Sequence, residues 1–185
     1  MADTQEANPV FDAFVAACAN GNTDVAEQIA RSGPITTRDI CLVKNHIFDT
    51  ICRSGKLVTM QWVADHFALT EHNAHAIAVH ALRYNCESGR LRVAQWIVER
   101  FGIHADDVRS DDNWMLRHSI INGHTTQPSP ALQARRRSFA AESCGVAEWL
   151  AIKFDLEAAD ARALENFALG WACARGHLDS AKWLV

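Results

Sequence analysis

Apolar residues recur along this chain at helical spacing. Val93, Ala94, Trp96, Ile97 and Phe101 fall on one side of a helix. Val25, Ala26 and Ile29 repeat that stripe near the start, as do Ala181, Trp183 and Leu184 near the end. Upstream of these stripes stands a column of large apolar residues: Phe14, Phe48, Leu82, Leu116 and Leu169. Four of its members stand four residues before Cys18, Cys52, Cys86 and Cys173, so both columns share one face of a helix.

The two patterns alternate on a fixed period. Gly21, Gly55, Gly89 and Gly123 are each 34 residues apart, and Gly176 follows after 53, one period plus 19. Trp62, Trp96, Trp149 and Trp183 keep the same count at 34, 53 and 34, and the cysteines always precede the glycine by three. Three residue types in one register, with one insertion accounting for every departure, indicate duplication. Each unit is predicted to hold two amphipathic helices joined by a turn whose glycine takes the left-handed cap conformation. A linker also repeats, beginning at Ile35, Leu69, Ile103 and Leu156. Thr36 and Thr70 are placed to cap a brief helical turn there, and Asn45, Asn113 and Asn166 to cap the long helix that follows. The expected units are 8–34, 35–68, 69–102, 103–155 with an insertion near 124–143, and 156–185.

Two helical repeats have periods this close, tetratricopeptide at 34 residues and ankyrin at 33. A tetratricopeptide unit needs a small residue seven positions before the turn glycine, where this chain has Phe or Leu throughout. Trp171-Ala172-Cys173-Ala174-Arg175-Gly176-His177-Leu178 resembles the Leu-Ala-Ala-x-x-Gly-His-Leu core of the ankyrin repeat. The chain therefore resembles the ankyrin family across residues 8–185, in the divergent Trp-bearing style of large DNA viruses and unicellular eukaryotes. The family's Thr-Pro-Leu-His opening is absent, and the longer linkers allow either a β-hairpin finger or a helical turn. The fold expected is all-α, a solenoid of about five helix-turn-helix units. Such units cannot bury their stripes alone, so neighbours stack. Trp96, in a middle unit, is expected in the core, where truncation to alanine would cost ~3–5 kcal/mol.

Composition narrows function mainly by exclusion. A net charge of −4 disfavours nucleic acid as a partner. Residues 1–9 lack the apolar stretch of a secretory signal, and no run reaches the ~18 apolar residues of a membrane span. Six cysteines without such a signal point to a reducing, cytoplasmic or nuclear, location. Helices pack ~8–10 Å apart, too far for a zinc or disulfide shared between equivalent cysteines, so these read as packing residues. His66, His72, His75 and His80 lack cysteine or carboxylate partners at a metal-binding spacing. No nucleophile or phosphate-loop motif occurs, and Asp106-Asp107 and Asp111-Asp112 read as solvated linker caps. No catalytic residue, metal or cofactor is expected. In the insertion, Pro130 would open an extra helix carrying Arg135-Arg136-Arg137, beside which Ser138 is a candidate phosphorylation site.

The ankyrin resemblance implies a non-catalytic scaffold that binds a protein partner along its concave face. By register, that face comprises the two residues before each turn glycine and the residue six before it. Arg53, Arg83, Glu87, Arg117 and Arg175 are the resulting candidates for partner contact. His124 and His177 follow the turn glycine, where the family uses histidine for hydrogen bonds within and between repeats. The sequence stops at Val185 inside an apolar helix without a capping signal. Either the array is expected to continue, or this edge stacks on a partner or another copy.

Overall fold

The structure, a computed structural model, describes residues 9–33, 35–41, 47–125 and 145–185. The insertion with Arg135-Arg136-Arg137 and Ser138, and the expected cap Asn45, lie outside the described residues. Among those described, every regular element is a helix. They are α1 (Pro9–Asn20), α2 (Thr23–Ser32), α3 (Thr37–Cys41), α4 (Ile47–Arg53), α5 (Leu57–His66) and α6 (Glu71–Glu87). There follow α7 (Leu91–Phe101), α8 (Ala105–Ile121), α9 (Val146–Phe154), α10 (Ala158–Ala161), α11 (Ala163–Ala174) and α12 (Leu178–Leu184). The chain forms two compact units, residues 1–81 and 82–185.

In the first unit α1 packs on α2, α4 and α5, and α4 packs on α3 and α5. Phe14, Cys18, Phe48, Ile51, Cys52, Met60 and Val63 are fully buried. In the second unit α8 packs against α9, α10 and α11, and α11 against α12. Its buried residues include Leu82, Val93, Ile97, Phe101, Leu116, Ile120 and Leu150. Both apolar columns of the sequence pattern therefore face inward, with two exceptions. Leu169 is half-buried, and Cys173 is exposed where Cys18, Cys52 and Cys86 are buried.

The same turn closes at Gly21, Gly89, Gly123 and Gly176, while at Gly55 the following N–H, of Lys56, bonds Ser54 Oγ instead. After α6 the Gly89 N–H bonds Cys86 O and the Arg90 N–H bonds Asn85 O. Gly123 and His124 do the same to Ile120 O and Ser119 O, and Gly176 and His177 to Cys173 O and Ala172 O. This paired closure requires a left-handed residue at the glycine. Gly89 and Gly123 have φ of +70° and +76°. They also lack room for a side chain: a Cβ on Gly89 would stand 2.5 Å from the His124 ring, and one on Gly123 2.7 Å from His177. The residue after one turn glycine thus covers the glycine of the preceding turn. In the first unit the Lys56 stem lies over Gly21 in the same way.

The linkers form helical turns, with a capping device that the sequence reading only half identified. Thr36 N–H bonds the Asp39 carboxylate, Thr70 N–H bonds Asn73 Oδ1, His104 N–H bonds Asp107, and Glu157 N–H bonds Asp160. The acceptors at 39, 73, 107 and 160 keep the intervals of 34, 34 and 53. Each satisfies an N–H that the helix start leaves unpaired. Asn113 stands just before the second half of α8, but its side-chain oxygen accepts no hydrogen bond there, and Asn166 lies within α11; both have left-handed φ, +58° and +62°.

The tryptophans divide. Trp149 is buried, edge-on to Phe154 at 6.3 Å. Trp96, expected in the core, is half-buried with Phe101 at 5.7 Å beneath it. Val93, Ala94, Ile97, Val98 and Phe101 fill the inner side of α7 instead.

Candidate functional site

The candidate contact residues of the sequence reading have different fates. In the first unit Arg53 donates from Nε to Asp49 Oδ2 at 2.8 Å, one helical turn away. His80 Nδ1 lies 3.3 Å from the other oxygen of the same carboxylate, which is almost fully buried. Of the other histidines of that stretch, His66 stacks on Trp62 at 4.9 Å, His72 is exposed and His75 is half-buried. Among the described residues, no three His, Cys, Asp or Glu side chains are grouped to hold a metal ion. No helix among them is long and apolar enough to cross a membrane.

In the second unit Arg83 and Arg117 hold an elbow in the backbone. Helix α8 is broken at Ser110, and Asp111, Asp112 and Asn113 all follow with φ between +52° and +58°. Left-handed backbone costs an L-residue roughly 1–2 kcal/mol, least for Asp and Asn, which explains the residue types found here. Arg117, only 4% exposed, donates from Nε to Asp112 O at 2.6 Å and from Nη2 to Asp111 O at 3.2 Å. Arg83 bonds Ser110 Oγ at 2.9 Å and pairs with the Asp111 carboxylate. The register assigned Arg117 to an open face; the structure buries it, and its role is to position the start of the second half of α8.

What that half of α8 presents, with α11 packed beside it, is a surface the register argument missed. Counting back nine, five and one from the turn glycine gives Trp114, His118 and Asn122 on α8 and its turn. The same count on α11 gives Phe167, Trp171 and Arg175. Residues four apart share a helix face, so each trio forms a ridge. The His118 ring stacks on Trp114 at 3.8 Å and 15°, and its Nδ1 lies 3.0 Å from Trp114 O. Phe167 and Trp171, 42% and 44% exposed, contact each other at 6.0 Å. Arg175 lies 5.3 Å over the Trp171 ring and donates from Nη1 to Asn122 Oδ1 at 2.6 Å, which joins the ridges. The equivalent positions one period earlier hold His80 and Tyr84, and Arg90 lies 5.5 Å over the Tyr84 ring. The signal was present in the sequence, as aromatic residues or histidine at both positions in three successive units.

Electrostatics gather three of the five candidate residues around His118. Burial lowers its pKa below the ordinary value; the charges of Arg117 and Arg175 lower it further, while the Trp114 carbonyl and Glu87 oppose them. Glu87 also accepts at its backbone oxygen from His124 Nε2, at 2.9 Å, the hydrogen bond between neighbouring turns that the sequence led one to expect. Arg53 belongs to the other unit. The surface therefore offers flat aromatic area, one exposed guanidinium and a histidine kept neutral near pH 7, a composition suited to binding another chain. Comparison with protein-family models, curated proteins and solved structures finds no match to this chain.

Proposed function

We propose that this chain is a divergent ankyrin-like array whose first helices bind a protein partner, without catalysis. Stacking of helix pairs is supported by the turn geometry: Lys56 over Gly21, His124 over Gly89 and His177 over Gly123 repeat one arrangement. The observation that carries the binding reading is the surface of Trp114, His118, Phe167, Trp171 and Arg175. Large aromatic side chains left at an open helix face cost hydration without serving the core, and monomeric proteins seldom expose them in groups. Trp and Arg are also the residue types that most often dominate binding energy at protein interfaces. Glu87 and Arg175 remain candidates for contact, while Arg83 and Arg117 act through the elbow.

The test begins by capturing a partner and identifying it by mass spectrometry. The purified partner is then titrated calorimetrically against Trp171→Ala, Arg175→Glu and, as control, the exposed Arg31→Glu. Truncating Trp171 or reversing Arg175 should weaken binding at least about tenfold, as expected of central interface residues. Unchanged affinity in both, with the control also unchanged, would reject this face as the binding surface.

A further inference from the structure

Burial compared at equivalent positions reveals two open faces that match each other. On the second helices, the positions four and eight after the turn glycine are buried in Thr59 and Val63, in Val93 and Ile97, and in Ser180 and Leu184. Their counterparts in α2 are Val25, 46% exposed, and Ile29, half-buried. The Thr125–Ser180 hydrogen bond, 2.8 Å, shows that this side of a helix pair meets the pair before it. On the opposite side, the position three before the glycine is fully buried in Cys18, Cys52, Cys86 and Ile120, but exposed in Cys173. Leu178 is 64% exposed where Leu57 and Leu91 are half-buried. The slot over the glycine differs in the same way. His124 fills it at Gly89 and His177 at Gly123, while a Cβ on Gly176 would meet no atom within 4 Å.

Each open face is thus the half of a contact that this chain makes repeatedly within itself. We infer that α11 and α12 of one copy receive α1 and α2 of a second copy, head to tail, with Asn22 over Gly176 and Val25 and Ile29 against Cys173 and Leu178. The inference rests on the stacked-repeat reading. Asn22 is the residue after Gly21 and is exposed, as a residue placed to cover a neighbouring turn glycine must be. Charge is complementary as well. Helices α1 and α2 carry Asp12, Asp24 and Glu27 against Arg31, whereas residues 162–184 carry Arg162, Arg175 and Lys182 against Glu165 and Asp179. Because the two faces are different, the contact is heterologous: each added copy leaves a further face open, and association extends with concentration past a pair into a chain or ring of copies.

Sedimentation velocity of the chain in reductant, across a concentration series, tests this together with two variants. Val25→Lys blocks one face and Cys173→Lys the other; both positions are exposed, and Leu178→Lys replaces the second variant if it melts below the parent. A lysine buried in the apolar contact should weaken association by roughly ten- to a hundredfold. The wild type should grow beyond a dimer, each variant alone should remain monomeric, and their equimolar mixture should form a dimer and nothing larger. A monomeric wild type at all concentrations overturns the inference, because the face then serves another occupant. So does growth that stops at a dimer, or variants that associate like the parent. Failure of the stacked-repeat reading itself is distinguishable, since it would show in the glycine melts described below.

Discussion

Replacing Gly89 and Gly176 by alanine should have unequal costs, although both glycines have the same backbone conformation. Their φ angles are +70° and +73°, so alanine meets the same intrinsic penalty of roughly 1–2 kcal/mol at each. Reduced freedom of the unfolded chain returns about 0.4–1 kcal/mol in both cases. Gly176→Ala ends there, because its Cβ would have open space. At Gly89 the Cβ would stand 2.5 Å from the His124 ring, so the ring must move. Moving it breaks the His124–Glu87 hydrogen bond, worth ~0.5–1.5 kcal/mol, and loosens the packing around it at a further ~1 kcal/mol or more. Gly89→Ala should therefore destabilise by about 2–4 kcal/mol and Gly176→Ala by about 1 kcal/mol or less. Urea melts followed by far-UV circular dichroism measure both. In a His124→Ala background the Gly89 cost should fall to that of Gly176. Equal costs at the two glycines in the wild-type background would refute the claim that the residue after one turn glycine packs on the preceding one.

Trp149→Ala should destabilise by ~3–5 kcal/mol, and half-buried Trp96→Ala by less than half of that, in the same melts. At a dilution where the chain is monomeric, a brief native iodoacetamide pulse near pH ~8 should label Cys173 well before Cys18 or Cys86, as read by peptide mass spectrometry. Burial pushes the Cys18 thiol up to about 12 and raises Cys86 as well, so neither holds appreciable thiolate. His118 titrates below 6.5 in the folded chain, chiefly through burial, so the unfolded chain takes up this proton first. Stability contributed by neutral His118 should be complete above pH 6.5, decline below it and level off past the folded value; His118→Gln should flatten that limb of a pH series of melts.

Much of this molecule was legible in one dimension because the same physical demand recurs at the same interval along the sequence. Glycine at 21, 55, 89, 123 and 176 marks turns where only a left-handed residue closes the hydrogen bonds. Phe14, Phe48, Leu82 and Leu116 mark the inward side of the helix before each turn, and that much determined an all-helical chain. The acceptors Asp39, Asn73, Asp107 and Asp160 were equally regular, yet their meaning required knowing which N–H each one faces. Tertiary structure decided the rest, because register fixes which side of a helix a residue occupies but not what lies opposite. Register assigns both Arg117, six residues before its turn glycine, and Arg175, one before its own, to the open face. A left-handed elbow folds back over one and buries it, while the other stays exposed above Trp171. The same holds for the cysteine column: Cys86 and Cys173 are identical in type and register, yet the tertiary packing buries the first and leaves the second exposed.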